Sequence, residues 1–267
     1  MSMSAKNFAL DDDHTTRAWV ATVWFMFAGL IITAPAAAID TRMLWEISVW
    51  SKPMKFELAL MVHFATLAIL VQQLPRTKRT GFFMTPIVWA SVAAALLEVV
   101  YITFQAARGR HSHFNFDTDI ESGMYALMGL GAVLLIVAAF VLGLKLAALR
   151  DGNRSGLRLG SVIGLIMAPI LTLIVAGYMS SSGSHWVGEA TSDANGVLLF
   201  GWSREVGDLR PSHFVALHSM QALPIIGMVM DRIAPKAARS TVLISAVTFA
   251  AITALLFMRA LAGRPLY

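Results

Sequence analysis

The chain has 267 residues, 57% of them hydrophobic and 14% charged, with no cysteine and a formal net charge of +5. Such a composition lies far outside the soluble range and predicts an integral membrane protein; the lack of cysteine excludes disulfides, thiolate metal sites and thiol nucleophiles. The basic residues sit mostly at the ends of apolar stretches, where they set orientation, so the expected partner is the lipid bilayer and not a nucleic acid.

A helix needs about 20 mostly apolar residues to cross the hydrocarbon core. Windows of roughly 19 residues place spans at Ala18–Ile39, Met54–Leu74, Phe82–Gln105, Ser122–Leu146, Leu157–Ser180, Ser212–Met230 and Thr241–Leu261. The fold expected is an all-α polytopic transmembrane bundle of about seven spans: residues 1–17 form a cytoplasmic N-terminal tail and residues 18–267 a single transmembrane domain. One connection, residues 181–211, is long enough to form a cap, and it is rich in Gly and Ser. The tail and even-numbered connections hold 12 Lys and Arg against 9 for the odd connections and C-terminus, and Arg76, Lys78 and Arg79 are densely grouped. By the positive-inside rule this puts the N-terminus in the cytoplasm and the C-terminus outside, in a bacterial-type inner membrane.

The first span ends in Ala34-Pro35-Ala36-Ala37-Ala38, small residues of the kind that precede a signal cleavage site, but Asp11, Asp12 and Asp13 contradict the positive leader such a signal carries. In the second span, Glu57 lies near the interface and is expected to snorkel, while His63 lies ten residues past Pro53, about 15 Å deep at 1.5 Å per residue. An ionisable side chain inside hydrocarbon costs roughly 2.5–3.5 kcal/mol and usually faces the bundle interior with a partner. The third span offers the sharpest case, Glu98. Ser91, Glu98, Tyr101, Gln105 and Arg108 recur at spacings of 7, 3, 4 and 3, which stacks them on one helical face lining a cavity or a helix interface.

The connection that follows, His111-Ser112-His113-Phe114-Asn115-Phe116-Asp117-Thr118-Asp119-Ile120, is polar at every odd position. An extended segment places those positions on one side. His111, His113, Asp117 and Asp119 are competent transition-metal ligands, and Arg108 and Arg110 beside them suit a carboxylate, a propionate or another anion; the bland alternative is a solvated loop anchored by aromatics.

In the fifth span Gly156, Gly160, Gly164 and Ala168 recur every four residues, a stripe that allows close helix approach. His218 lies seven residues past Pro211, about 10 Å deep, and Gln221 shares its face. His185 and His213 are further external histidines. The first and last three spans share a weak pattern: Pro35 and Pro169, Lys52-Pro53 and Arg210-Pro211, Gly109-Arg110 and Gly263-Arg264. Both triplets run in the same direction, consistent with a parallel 3+1+3 repeat.

Three functions compete. A redox protein would hold haem b or a divalent transition metal between His63 and His218, with Gln221, Arg108 and Arg110 supporting it, Glu98 and Tyr101 handling protons, and an electron-transfer partner or small molecule on the external side. A proton-coupled transporter would use the same polar groups to line an outward-opening cavity. A membrane metallohydrolase would use His111 and His113.

Overall fold

Each expected span is one α-helix in this computed structural model, which describes residues 10–189, 192–193, 195–197 and 200–266. The helices are α1 (His14–Ile39), α2 (Ser51–Leu70), α3 (Met84–Ala107), α4 (Asp119–Ala147), α5 (Gly156–Ser181), α6 (Arg210–Ile233) and α7 (Ala238–Leu261). All seven are long and apolar enough to cross a membrane. Several begin earlier than hydropathy indicates because a polar residue caps them. Asp13 accepts from the Thr16 amide at 3.0 Å, Thr118 from that of Glu121 at 3.2 Å, and Ser155 from that of Arg158 at 3.1 Å; each bond satisfies a helix amide that has no partner within the helix.

The helices group as two triplets. α1, α2 and α3 touch one another, α5, α6 and α7 do likewise, and α4 bridges α3 to α5. Three further features recur in both triplets. Pro35 and Pro169 lie inside the leading helices. A two-residue antiparallel strand pair lies in the connection from the first helix to the second: the tight hairpin of β1 (Met43–Leu44) with β2 (Ile47–Ser48), and β3 (Trp186–Val187) with β4 (Gly207–Asp208). The third helix ends on a left-handed glycine, Gly109 at φ 67° and Gly263 at φ 70°. The wide hydrogen bond of a Schellman cap follows in each, Arg110 N to Gln105 O at 2.9 Å and Arg264 N to Arg259 O at 3.1 Å. Each hairpin region packs on the end of its third helix, through Arg42 Nη1 to Ala107 O at 3.0 Å and through Gly207 against Ala260.

The glycine stripe has the packing role expected of it. Gly156, Gly160, Gly164 and Ala168 are buried, and a Cβ on Gly160 would land on the Leu223 carbonyl of α6. Apolar side chains fill the interior, among them Trp19, Phe64, Leu67, Leu142, Leu165 and Met220.

One face of the bundle carries the start of α1 and the even connections. There Arg79, 3% exposed, reaches Asp13 at 2.8 Å and Asp11 at 2.9 Å, and Arg158 of α5 donates to Gln73 Oε1 at 3.1 Å. Asp231 of α6 accepts from the first amides of α5, Gly156 at 2.6 Å and Leu157 at 2.8 Å. The odd connections meet on the opposite face, called here the cap face.

Candidate functional site

Trp45 holds the cap together. It and Glu46 form the tip of the first hairpin at φ 50° and 63°, a conformation that suits glycine or asparagine and is costly for a bulky side chain. Its ring lies 4.1 Å from that of His111, 5.2 Å from Trp186 and 5.7 Å from His185, and its carbonyl accepts from Asp193 N at 3.2 Å. The first, third and fifth connections therefore close over the bundle at one point.

Beneath them, Gln105 Nε2 donates to Glu121 Oε1 at 3.1 Å, to the His111 carbonyl at 3.1 Å and to Tyr101 Oη at 3.2 Å. Arg110 forks onto both Glu121 oxygens at 2.7 Å, and Arg108 donates to Gln105 Oε1 at 3.0 Å. Tyr101, Arg108 and Arg110 thus belong to a clamp that fixes the course of residues 108–118. Its centre, Glu121, is a residue that sequence reasoning missed. The signal was present: Thr118-Asp119-Ile120-Glu121 is a capping box, and Thr118 Oγ1 bonds both the amide and the carboxylate of Glu121.

The clamp delivers His113 to Glu98. Nε2 of His113 stands 3.7 Å from Oε1 of Glu98, whose side chain is 5% exposed, and the imidazole lies between Phe56 at 5.3 Å and Tyr125 at 6.0 Å. Burial, reinforced by the nearby Lys52 ammonium, pushes the His113 pKa well below the usual histidine range, so this imidazole is neutral at physiological pH. Burial and Lys52 lower His111 in the same direction. Lys52, half-buried at the start of α2, also interacts electrostatically with Glu98, Arg210 and Asp193.

The four residues offered as metal ligands follow separate courses. His111 stacks on Trp45, His113 turns inward to Glu98, Asp117 pairs with Arg110 at 3.1 Å, and Asp119 is exposed in the first turn of α4. Among the described residues, no group of three or more His, Asp or Glu is placed to hold a metal ion.

His63, His218 and Gln221 form a second, deeper grouping between α2 and α6. His218 Nδ1 and Gln221 Oε1 are 3.2 Å apart, and Gln221 Nε2 donates to Thr66 Oγ1 at 3.2 Å. His63 is within electrostatic range of His218 and approaches the Leu135 carbonyl of α4; its Nε2 is buried with no hydrogen-bond partner, as is Nδ1 of His213. No charge interaction links Glu98 to either deep histidine. The single convergence expected from sequence is two groupings, because His113 comes down from the loop to occupy the place beside Glu98.

Above α6, Arg210 donates to Asp193 at 2.8 Å, to Asp208 at 2.6 Å and to the Gly201 carbonyl at 2.7 Å. Burial alone would raise the Asp193 pKa, but His185 at 3.9 Å and the Arg210 fork override it and hold Asp193 at about 2. Two surface hollows, of about 420 and 440 Å³, lie at the end of α7 and beside the start of α1, and neither is lined by a histidine.

In comparisons with known proteins, no family model, no curated protein and no solved structure matches this chain.

Proposed function

We propose that this protein is a membrane carrier that moves a small solute together with a proton, binding both under the cap at Glu98, His113 and Lys52. The observation that carries the reading is Glu98. It is a carboxyl group 5% exposed in a membrane-spanning helix, with the His113 imidazole at 3.7 Å and the Lys52 ammonium within electrostatic range. Charges in such places are costly and mark ion or proton pathways. Two triplets bridged by α4, with their connections closing above the site, supply two bodies that alternating access requires. With the densely basic N-terminal face in the cytoplasm, the cap opens to the outside of a bacterial-type inner membrane.

Uptake by proteoliposomes across a panel of carboxylates, amino acids, sugars and amines, driven by an imposed pH gradient, tests this. Wild-type protein takes up at least one solute, and Glu98→Gln, folded by its melting profile, does not. An inert wild type, or a variant of equal activity, overturns the reading.

One observation favours a second reading, a redox protein holding haem b or a transition metal. The Nε2 of His63 is buried without a partner within electrostatic range of His218, and two imidazoles from different helices are a ligand pair for such a group, which when bound would supply one-electron chemistry. Purified protein with a Soret band and stoichiometric iron would support it; a colourless, metal-free preparation removes it. A metallohydrolase at His111 and His113 has less support, since their rings point to different partners.

A further inference from the structure

The third helices of the two triplets end alike and differ in what lies beside the end. The wide bond of each Schellman cap joins residues five apart, Gln105 to Arg110 in α3 and Arg259 to Arg264 in α7. In the first triplet the side chains of that pair converge on one carboxylate. Gln105 Nε2 donates to Glu121 Oε1 at 3.1 Å, and Arg110 donates to Oε1 and to Oε2 at 2.7 Å each. This backbone geometry therefore brings side chains at the two positions to a single pair of oxygens.

In the second triplet both positions are arginine, and both side chains are exposed. Arg42, Arg110 and Arg210, on the same face, are each held by a carboxylate at 2.6 to 2.7 Å; among the described residues no carboxylate pairs with Arg259 or Arg264. Arg259 commits only Nε, to the Pro265 carbonyl at 2.5 Å. The two guanidiniums instead border a hollow of about 420 Å³, whose other walls include Leu255, Leu256, Met258 and Leu266. Leu255 and Met258 are 61% and 59% exposed on a helix apolar enough to span a membrane, and Arg259 lies in the last turn of that helix. The charged rim thus stands at headgroup level and the apolar wall below it faces acyl chains. The hollow of similar size beside the start of α1 has the opposite character: Asp11 and Asp12 are on its rim, and its Arg17 is paired with Asp12 at 3.2 Å.

We propose that the end of α7 binds one anionic phospholipid, its phosphate shared by Arg259 and Arg264 as the Glu121 carboxylate is shared by Gln105 and Arg110, with an acyl chain lying along Leu255 and Met258. Guanidinium forks match phosphate oxygens, and basic side chains at a membrane surface attract anionic lipids. A zwitterionic lipid suits the site less, because its ammonium group would approach the same two arginines. The site is separate from Glu98 and stands or falls independently of the carrier reading.

Native mass spectrometry of the purified full-length protein in a neutral detergent tests this, with phosphatidylglycerol and phosphatidylcholine of identical acyl chains as probes and inorganic phosphate as competitor. Wild type should bind one phosphatidylglycerol saturably and at least about tenfold more tightly than phosphatidylcholine, the scale of one charge-assisted hydrogen bond. Arg259→Gln/Arg264→Gln should abolish that preference. Arg264→Gln alone should weaken phosphatidylglycerol binding several-fold, and because the Arg264 side chain makes no hydrogen bond within the described residues, this variant keeps the fold if the double variant does not. Arg150→Gln/Arg154→Gln removes the same charge from exposed positions on the opposite face and should bind as wild type does. No preference for phosphatidylglycerol in wild type, several lipids binding without saturation, unchanged binding by Arg264→Gln, or an equal loss in the Arg150 and Arg154 control overturns the assignment. Displacement of the lipid by millimolar inorganic phosphate also overturns it, since the site would then hold a free anion and make no use of the apolar wall.

Discussion

Thr33 of α1 donates a 2.6 Å hydrogen bond to Oε2 of Glu57 on α2, and Glu57 is 1% exposed. The residue expected to snorkel is instead sealed between two helices. Gly29 makes room for it: a Cβ there would meet Glu57 Oε1 at 2.7 Å. This carboxyl joins α1 to α2 inside the first triplet and contacts neither polar grouping of the candidate site.

Thr33→Val removes the donor and leaves the buried carboxyl unsatisfied, a loss of about 1–3 kcal/mol. Thr33→Ser should keep most of the stability. Unfolding in mixed micelles measures both, and equal midpoints for Thr33→Val and wild type would show that the bond contributes nothing.

Gly160→Leu places a side chain on the Leu223 backbone of α6. Overpacking costs typically 1–3 kcal/mol where neighbours can move, and backbone cannot move as a side chain does, so the expected result is a loss of about 3 kcal/mol or failure to assemble. Gly129→Leu is the control, because nothing lies within 4 Å of a Cβ at Gly129. Yield and melting temperature should fall for the first variant only.

The cap should loosen in acid. Asp193 is held at about 2 against an ordinary 3.8, so its folded pKa is depressed. The stability it contributes, about 2 kcal/mol by linkage, is present above pH 4 and is lost as pH falls from about 4 toward 2. Tryptophan fluorescence of the Trp45–Trp186 pair should change across that window, with melting temperature falling in parallel. Asp193→Asn should show the weakened cap already at neutral pH and a flat response to acid; a variant that keeps the wild-type acid transition would assign it to another group.

Arg79→Ala should open the N-terminal face. It strips the partner from Asp13, which also caps α1, and breaking a buried pair costs about 3–5 kcal/mol. Faster amide exchange confined to the first turns of α1 and residues 71–83 is the expected signature; uniform exchange across the bundle would count against a local lock.

Seven spans were legible because membrane insertion depends on local length and apolarity. The Gly156–Ala168 stripe was legible for a similar reason, since four-residue spacing fixes one helical face. The partner of Glu98 was not legible. His113 reaches it only because Gln105, Arg110 and Glu121 fix a loop containing a left-handed Phe114 at φ 53°, and no periodicity governs such a path.

By itself, the sequence determined that this chain is a bundle of helices long and apolar enough to cross a membrane and which polar residues fall within those helices, since both follow from hydrophobicity counted along a helix. Which of those residues meet was decided only by tertiary structure. Hydrogen-bond and charge pairing depends on distances of a few ångströms between segments far apart in the chain, and those distances were set by cap loops whose conformations rest on contacts with one another.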